Sequence, residues 1–279
     1  MTAHISIAMN NITTKPFLKW AGGKYRLTSV IRAALPQGRR LIEPFVGSGA
    51  VFLNMDYSSY VLADSNRHLI DLFQLIKNEG VEFIDYCQSF FNGDVNSESV
   101  FYQRRDLFNA THDIKLKSAL FVYLNRHCFN GLCRYNSKGF FNVPFGRYKL
   151  PLFPRQEMLA FYRKSQYASF IVSDFSQTMK MAEKGDVIYC DPPYVPLSAT
   201  ASFTSYTQGG FGLEEQNKLA AMALELSLKG IPVIISNHHT PFTLNAYKDA
   251  RIELFDVQRF ISSKAESRGK VSELLAIFS

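Results

Sequence analysis

The sequence predicts an α/β fold in which a mostly parallel sheet is closed by an antiparallel pair of strands. Short β-like runs bounded by turn residues alternate with helical patterns, which is typical of parallel sheets. These runs are Arg40–Ile42, Tyr60–Ala63, Ser169–Val172, Asp186–Cys190 and Ile231–Ser236. The last two apolar runs are joined by a polar loop instead of a helix, which predicts an antiparallel pair, Ile252–Val257 with Val271–Phe278.

A helical insertion is predicted to interrupt this alternation between Asn66 and Lys117. Apolar side chains recur there at helical spacing, at Leu69, Leu72, Phe73, Ile76, Phe101, Leu107 and Phe108. The insertion continues through Ala119–Leu124 into the segment Arg126–Lys149, whose Asn130-Gly131 and Lys138-Gly139 pairs predict the turns of a β-hairpin. We therefore expect an N-terminal extension (1–15), a catalytic domain (16–65 and 155–279) and an inserted domain (66–154).

Composition favours a folded protein with a nucleic-acid partner. The 279 residues are 47% hydrophobic and 20% charged, which excludes a disordered chain, and the formal net charge is +7. Eight basic residues lie between Lys115 and Arg155, while no acidic residue lies between Asp113 and Glu157. Aromatic residues are interleaved with these cations, a mixture that suits phosphate contact and base stacking. The alternative is a solvated hairpin with its own aromatic cluster.

Cysteine usage and hydropathy predict a cytoplasmic protein without disulfides, metal or membrane segments. The four cysteines are too few for a disulfide framework in a chain this long. Cys128 and Cys133, with His127 beside them, lack the second pair of ligands that a structural zinc site needs. Residues 1–14 do not have the pattern of a secretory signal, and the apolar runs are too short to span a bilayer.

A glycine-containing loop follows the first predicted strand, in the sequence Glu43-Pro44-Phe45-Val46-Gly47-Ser48-Gly49. Glycines there let a ligand approach the backbone at a helix N-terminus. Phe52 stands where a dinucleotide fingerprint has its third glycine, which favours a cofactor without pyrophosphate. Asp64 ends the next strand, where an acidic residue accepts hydrogen bonds from ribose hydroxyls. Its alternative role is that of an acidic residue at a helix N-terminus.

The strongest signal is Asp191-Pro192-Pro193-Tyr194, directly after the strand Asp186–Cys190. The prolines fix the backbone and lack N–H donors, so the loop presents carbonyl groups and one carboxylate. Asp191 and the Pro192 carbonyl can hold both protons of an exocyclic amine, whose lone pair then faces an electrophile. The carboxylate also stabilises positive charge that develops on the nitrogen. Tyr194 supplies a stacking face; the alternative is a rigid turn at the sheet edge.

These motifs, in this order, resemble the Dam-type members of the α-group of S-adenosylmethionine-dependent DNA adenine-N6 methyltransferases. The resemblance extends from about Lys15 to the C-terminus and includes Phe17–Lys24, Asn125-Arg126, Asn130–Asn136 and Phe141–Tyr148. It implies a Rossmann-like methyltransferase sheet with an inserted helical and β-hairpin target-recognition domain. It also implies a metal-independent enzyme that acts on double-stranded DNA, which we expect to be monomeric.

The resemblance also implies a set of site residues. The cofactor and the target adenine are expected to lie among Trp20, Lys24, Phe45, Gly47, Gly49, Asp64, Asp191 and Tyr194. The family's GATC site is expected to be read by Lys19, Leu132, Arg134 and Pro144. Lysine and arginine donate to guanine O6 and N7, whereas leucine and proline pack on a thymine methyl group.

Other DNA contacts are expected from neighbouring residues, namely Arg126, Asn130, Asn136, Arg147, Tyr148 and Lys149. Of these, Arg126 and Lys149 suit phosphate contacts, which position a protein without specifying sequence. Phe129 stands where family members commonly insert a tyrosine into the opened duplex. Ser198 and Thr200 either bind phosphate or form a polar lid.

The expected mechanism is direct methyl transfer to N6 of a flipped adenine. A cytosine-C5 enzyme needs a nucleophilic thiol, but strand alternation predicts that Cys190 points away from the crevice. Three alternative functions remain, and each leaves one feature of the sequence unexplained. An RNA or protein amide methyltransferase does not need Lys19 and the hairpin residues, and a small-molecule methyltransferase does not need the basic insertion. A DNA-binding protein on an inactive methyltransferase fold is not expected to keep both Asp64 and Asp191.

Overall fold

The structure is a computed structural model that describes residues 13–93, 95–149, 151–195, 211–258 and 270–279. Within them, seven strands form one sheet: β1 Arg40–Glu43, β2 Ser59–Asp64, β3 Ala168–Val172, β4 Asp186–Cys190, β5 Val233–His238, β6 Arg251–Gln258 and β7 Lys270–Phe278. Their order is β3-β2-β1-β4-β5-β7-β6. All pairs from β3 to β5 are parallel, and β7 is antiparallel to both β5 and β6. The predicted mixed sheet with its antiparallel closing pair is therefore confirmed.

Helices of the described residues cover both faces of this sheet. They are α1 Thr28–Ala34, α2 Ala50–Asn54, α3 Arg67–Glu79, α4 Val81–Ser89, α5 Glu98–Ala110, α6 Ile114–His127, α7 Arg155–Ser165, α8 Phe175–Met179, α9 Leu213–Leu228 and α10 Pro241–Ala246. Short 3₁₀ helices span Lys24–Leu27 and Phe129–Gly131. No helix in the described ranges is long and apolar enough to cross a membrane.

Alternation along the strands divides the core into two layers. In β4, Val187 and Tyr189 pack against one face, while Ile188 and Cys190 pack against the other. Side chains of a strand point alternately to opposite faces, which explains this division. Cys190 is fully buried in the layer formed with α9, as strand alternation predicted.

The insertion between β2 and β3 is helical, as predicted, and helix caps explain where its elements begin. The side chains of Asn66, Ser97 and Asp113 accept hydrogen bonds at the first turns of α3, α5 and α6. Buried residues of the insertion, such as Phe101 and Leu120, belong to the same apolar cluster as the sheet. The insertion and the sheet therefore share a continuous core, and the division at residue 66 stays a prediction.

The predicted β-hairpin is less regular than expected. The segment 126–149, here called the recognition segment, folds back on itself through two isolated antiparallel bridges, Cys128↔Phe145 and Tyr135↔Phe141. Between the two bridges, Asn130 has a positive φ of 53°, which departs from the extended conformation that continuous pairing needs; beyond them, Arg147 has a φ of 51°. Pro144 also lacks the N–H group that a ladder needs.

Candidate active site and nucleic-acid interface

The candidate active site lies at the carboxyl ends of β1, β2 and β4. From β1 the sheet extends through β2 and β3 on one side and through β4 and β5 on the other. Ligands in open α/β sheets bind in the crevice at such a switch point. The loop after β1, Asp64 of β2 and Asp191 after β4 reach this one edge of the sheet.

The glycine loop after β1 packs closely against Trp20. Gly47 has a φ of 48°, and a Cβ atom there would lie only 2.9 Å from Trp20 Nε1. The Gly47 N–H donates to Asp64 Oδ2 at 3.2 Å. Gly49, at a φ of 72°, is the residue that precedes α2. Three of the predicted cofactor residues, Trp20, Gly47 and Asp64, are thereby brought together.

The carboxylate of Asp64 is held by the backbone on one side. Its Oδ1 accepts from the Asn66 N–H at 2.9 Å, and the cap of α3 is the side chain of Asn66 instead of Asp64. Burial raises the pKa of Asp64, and hydrogen bonds from the Asn66, Gly47 and Ser65 N–H groups oppose that shift. Since a carboxylate has about four acceptor positions, Asp64 keeps capacity for a hydroxyl donor.

Two further aromatic side chains pack against Phe45 in one apolar layer of the core. The Phe45 ring stacks on that of Phe175 at 5.6 Å between centroids and meets the edge of Phe211 at 5.4 Å. Sequence reasoning missed Phe175 and Phe211. Phe175 follows the carboxyl end of β3, and its position after a strand is the signal that indicates it.

Asp191 forms a partly buried ion pair with Lys24. The Lys24 Nζ lies 2.9 Å from Asp191 Oδ1, with 6% and 22% of the two side chains exposed. Ser236 Oγ donates to the same carboxylate at 3.3 Å. Burial raises the pKa of Asp191, and Lys24, Ser236 and Tyr194 oppose that shift. Lys24 also donates to the Gly22 carbonyl at 2.7 Å, which fixes its ammonium group at the motif.

Three side chains contact Tyr194, one at its hydroxyl group and two at its ring. Its hydroxyl donates to Glu273 Oε2 at 3.1 Å, and the His238 ring meets it edge-on at 4.7 Å. Lys24 Nζ lies 4.5 Å from the ring centroid, over one face. The contacts with Glu273 and His238 come from β7 and β5, so the antiparallel pair that closes the sheet helps to orient the motif.

A buried polar network fixes the backbone that carries the motif. Gln216 Nε2 donates to the Pro193 carbonyl at 2.7 Å, and Asn237 Oδ1 accepts from the Val195 N–H at 3.1 Å. Asn237 Nδ2 donates to Gln216 Oε1 and to the Tyr247 hydroxyl, each at 3.0 Å. The side chains of Gln216, Asn237 and Tyr247 are buried and paired, so they hold the loop backbone at the exposed Pro193 and the buried Val195. No sequence motif indicated Gln216 or Tyr247.

Glu43 is a buried carboxyl group behind the site. It is 2% exposed, and its Oε1 lacks a hydrogen-bond partner among the described residues. Burial raises the pKa of Glu43 well above its usual range, and the nearby Asp191 adds to the shift. Burial and the charge of Asp191 thus both favour the neutral form of Glu43, while Lys24 pairs with Asp191.

Several predicted DNA-contacting residues lie together around Lys19. Its Nζ lies 3.9 Å from the centroid of the Tyr148 ring, and burial and the nearby Arg126 lower the pKa of Lys19. The Tyr148 hydroxyl accepts from the Asn130 N–H at 2.9 Å. Arg126 is half-buried and donates through Nε to the Leu152 carbonyl at 3.2 Å.

The other predicted contact residues differ in exposure and in internal contacts. Phe129 is 49% exposed and donates its N–H to the Pro144 carbonyl at 2.9 Å. Arg134 is exposed and donates through Nε to Asn142 Oδ1 at 2.9 Å. The Asn136 side chain accepts from two backbone N–H groups of its own turn. Further members of the set are Leu132 (half-buried), Arg147 (3.7 Å from Glu98) and Lys149 (exposed). Ser198 and Thr200 lie outside the described residues.

Comparison with known proteins gives the family. Residues 20–261 match the family described as D12 class N6 adenine-specific DNA methyltransferase. The chain belongs to this family. A "DNA adenine methylase" of Serratia marcescens is 48% identical over 265 residues, covering 95% of this chain and 98% of the relative. Proteins of the same name from Escherichia coli K12 and Vibrio cholerae are also 48% identical, covering 95% of this chain and 95% and 96% of theirs.

Family membership gives the reaction, since the chain belongs to the N6 adenine-specific DNA methyltransferases. Among the residues that the structure describes, no three His, Cys, Asp or Glu side chains are close enough to hold a metal ion.

Proposed function

We propose that this protein methylates N6 of adenine in GATC sites of double-stranded DNA with S-adenosylmethionine as the donor. The observation that carries the proposal is the position of Asp191. Its carboxylate lies at the switch point of the sheet, beside the Gly47 and Asp64 loops and next to a fixed aromatic ring. An amine acceptor and a candidate cofactor crevice thus share one edge of the sheet.

The crevice residues fit a nucleoside cofactor without pyrophosphate. The close approach of Trp20 to Gly47 leaves room for an indole ring but not for a Cβ atom, which explains the glycine. Asp64 would accept hydrogen bonds from ribose hydroxyls, and Trp20 and Phe45 would supply apolar walls. When bound, S-adenosylmethionine supplies an activated methyl group on a sulfonium centre.

Asp191 and the Pro192 carbonyl would hold the two protons of the target amine. This orients the nitrogen lone pair toward the methyl group, and the carboxylate stabilises the positive charge that develops on N6. In the described state Lys24 occupies one oxygen of this carboxylate and one face of Tyr194.

The exposed surface beside this site would bind the duplex, and residues 66–154 would form the target-recognition domain. Lys19 and Arg134 would donate to guanine, while Leu132 and Pro144 would contact a thymine methyl group. Phe129, about half exposed, would stack in the space left by the flipped adenine. One chain carries both sites, so we expect a monomer to suffice.

Digestion of plasmid DNA tests the proposal. DNA from cells that express the protein should resist an endonuclease blocked by N6-methyladenine in GATC and be cut by one that requires this base. Cells that lack other GATC methylation and carry an Asp191→Ala variant supply the control. The opposite cutting pattern with a soluble wild-type protein would contradict the proposal.

A further inference from the structure

One buried side chain joins three parts of the candidate DNA interface. Asn125, in the last turn of α6, is 2% exposed. Its Oδ1 accepts from the Lys19 N–H at 2.9 Å, and its Nδ2 donates to the Lys19 carbonyl at 2.7 Å. The same Nδ2 donates to the Gly131 carbonyl at 3.2 Å. The amide thus pairs with both peptide groups of Lys19 and ties them to the recognition segment.

The side chain of Lys19 has little freedom once its backbone is held. A Cβ atom at Gly131 would lie 2.2 Å from Lys19 Cβ, so the recognition segment lies directly against this side chain. Lys19 Nζ lies 3.5 Å from the Arg126 carbonyl and 3.9 Å from the Tyr148 ring centroid. The direction of the ammonium group is therefore set by a backbone that Asn125 fixes.

Of the small side chains, an amide suits this position best. It offers an acceptor and two donors at once, as the three bonds require. An alanine would leave the N–H and C=O of Lys19 and the C=O of Gly131 without these partners, and an aspartate would lack the donors. Base reading depends on this geometry, because donation to a guanine edge tolerates little displacement.

We propose that Asn125 is a positioning residue for sequence discrimination, acting through Lys19. The proposal rests on the proposed function, in which Lys19 reads a base pair. Asn125 does not itself need to reach the DNA. Its contribution is to place the lysine ammonium where it can donate to a guanine, so its loss should affect the same base pair that loss of Lys19 affects.

The test measures discrimination as the ratio of methylation rates on GATC and on duplexes with one substituted base pair. Both duplexes compete for the same enzyme sample, so a reduced folded fraction cancels from the ratio. Lys19→Ala first identifies the base pair that Lys19 reads. Asn125→Ala should lower the ratio at that pair by at least about fivefold, the lower limit for a good base contact. Asn125→Ser, which replaces the amide with a single hydroxyl group, serves if the alanine variant does not fold.

A matched control exists at Asn54. This side chain is 5% exposed, accepts from the Thr14 N–H at 2.7 Å and donates to the Thr14 carbonyl at 2.9 Å. It also donates to the Ala50 carbonyl at 2.8 Å. Asn54→Ala removes the same three kinds of bond at a site away from Lys19, so the discrimination ratio should not change.

The double variant Asn125→Ala with Lys19→Ala distinguishes an effect through Lys19 from a non-specific disturbance of the interface. If Asn125 acts through Lys19, the double variant discriminates no worse than Lys19→Ala alone. An unchanged ratio in Asn125→Ala, equal losses at every base pair, or an additive double variant would overturn the inference. If Lys19→Ala itself leaves every ratio unchanged, the assignment of Lys19 in the proposed function fails, and the inference fails with it.

Discussion

At the scale of single residues, the site depends on three ionisable groups that lie close together. Asp191 must be ionised to accept from an amine, although its burial opposes ionisation. Lys24 offsets that cost at 2.9 Å, while the neighbouring Glu43 is buried with a pKa well above its usual range. Lys24 therefore favours the ionised form of Asp191, whereas burial and the Asp191 charge favour the neutral form of Glu43.

Lys24→Met should move the acidic limb of kcat to higher pH. Removal of the cation destabilises the Asp191 carboxylate, so its pKa rises and the protonated, inactive form persists to higher pH. An opposite charge at this distance lowers a carboxylate pKa by about 1–3 units, so we expect a displacement of about one unit or more. The measurement is kcat against pH at saturating cofactor and DNA.

Lys229→Met is the control for this shift, because it removes an exposed pair with Glu225 at 2.6 Å. Its profile should match the wild type. An acidic limb that stays in place or moves to lower pH in Lys24→Met would show that Lys24 does not stabilise the ionised Asp191.

The Glu43→Gln variant should gain stability relative to the wild type as pH rises. Burial raises the pKa of Glu43 in the folded protein above its unfolded value. The folded state then binds more protons than the unfolded state, so this group's contribution is complete below the unfolded pKa and is lost as pH rises toward the folded pKa. Glutamine has no such dependence, and the difference can reach about 1.4 kcal/mol per pH unit. Tm measured for both proteins from pH 5 to 8 checks this, and a constant difference would contradict it.

At the scale of elements, the recognition segment depends on the helices beneath it. The amide of Asn109 in α5 pairs with the N–H and C=O of Phe141, and Asn125 in α6 donates to the Gly131 carbonyl. Side-chain amides thus replace the cross-strand hydrogen bonds that a regular hairpin would supply. This arrangement holds the segment in place while its exposed residues remain irregular in conformation.

Arg134→Ala should change the preference among DNA sequences, whereas Arg126→Ala should change only the overall affinity for DNA. Arg134 is exposed and bonds only within its own segment to Asn142 in the described contacts, so it can exchange these bonds for a base edge. Its loss should reduce discrimination by about 1–3 kcal/mol. Arg126, which is half-buried against Leu152, should instead lose affinity for all sequences alike, with a salt slope lower by about one unit. Binding to GATC and single-substitution duplexes at two salt concentrations measures both; uniform losses in the two variants would contradict the distinction.

At the scale of the whole molecule, the strands and the main helices of the insertion could be predicted because they depend on local periodicity. The strand Asp186–Cys190 agrees with β4 at both ends. The regularity of the hairpin was overestimated, since isolated bridges join its two arms and Arg147 has a positive φ where no turn was predicted.

Contacts between distant parts of the chain could not be predicted from the sequence. The order of the strands in the sheet decides which of these contacts form. Examples are the Lys24–Asp191 ion pair, the Tyr194–Glu273 hydrogen bond and the burial of Glu43, whose Oε1 has no hydrogen-bond partner among the described residues. The motifs identified Asp191, Tyr194 and Lys24, but the partners Ser236 and Glu273 come from segments without a recognisable motif. The sheet order therefore decides how the predicted residues are held.

The most direct test of the central claim is methyl transfer to a defined duplex by purified wild-type protein and Asp191→Ala. The wild type should convert the adenine of GATC to N6-methyladenine, identified by mass spectrometry of the nucleosides. Asp191→Ala should turn over slower by several orders of magnitude while its affinity for the cofactor falls less, because the carboxylate is needed most as charge develops on N6. Turnover of Asp191→Ala within about tenfold of the wild type would contradict the account, since tenfold amounts to only about 1.4 kcal/mol of transition-state stabilisation.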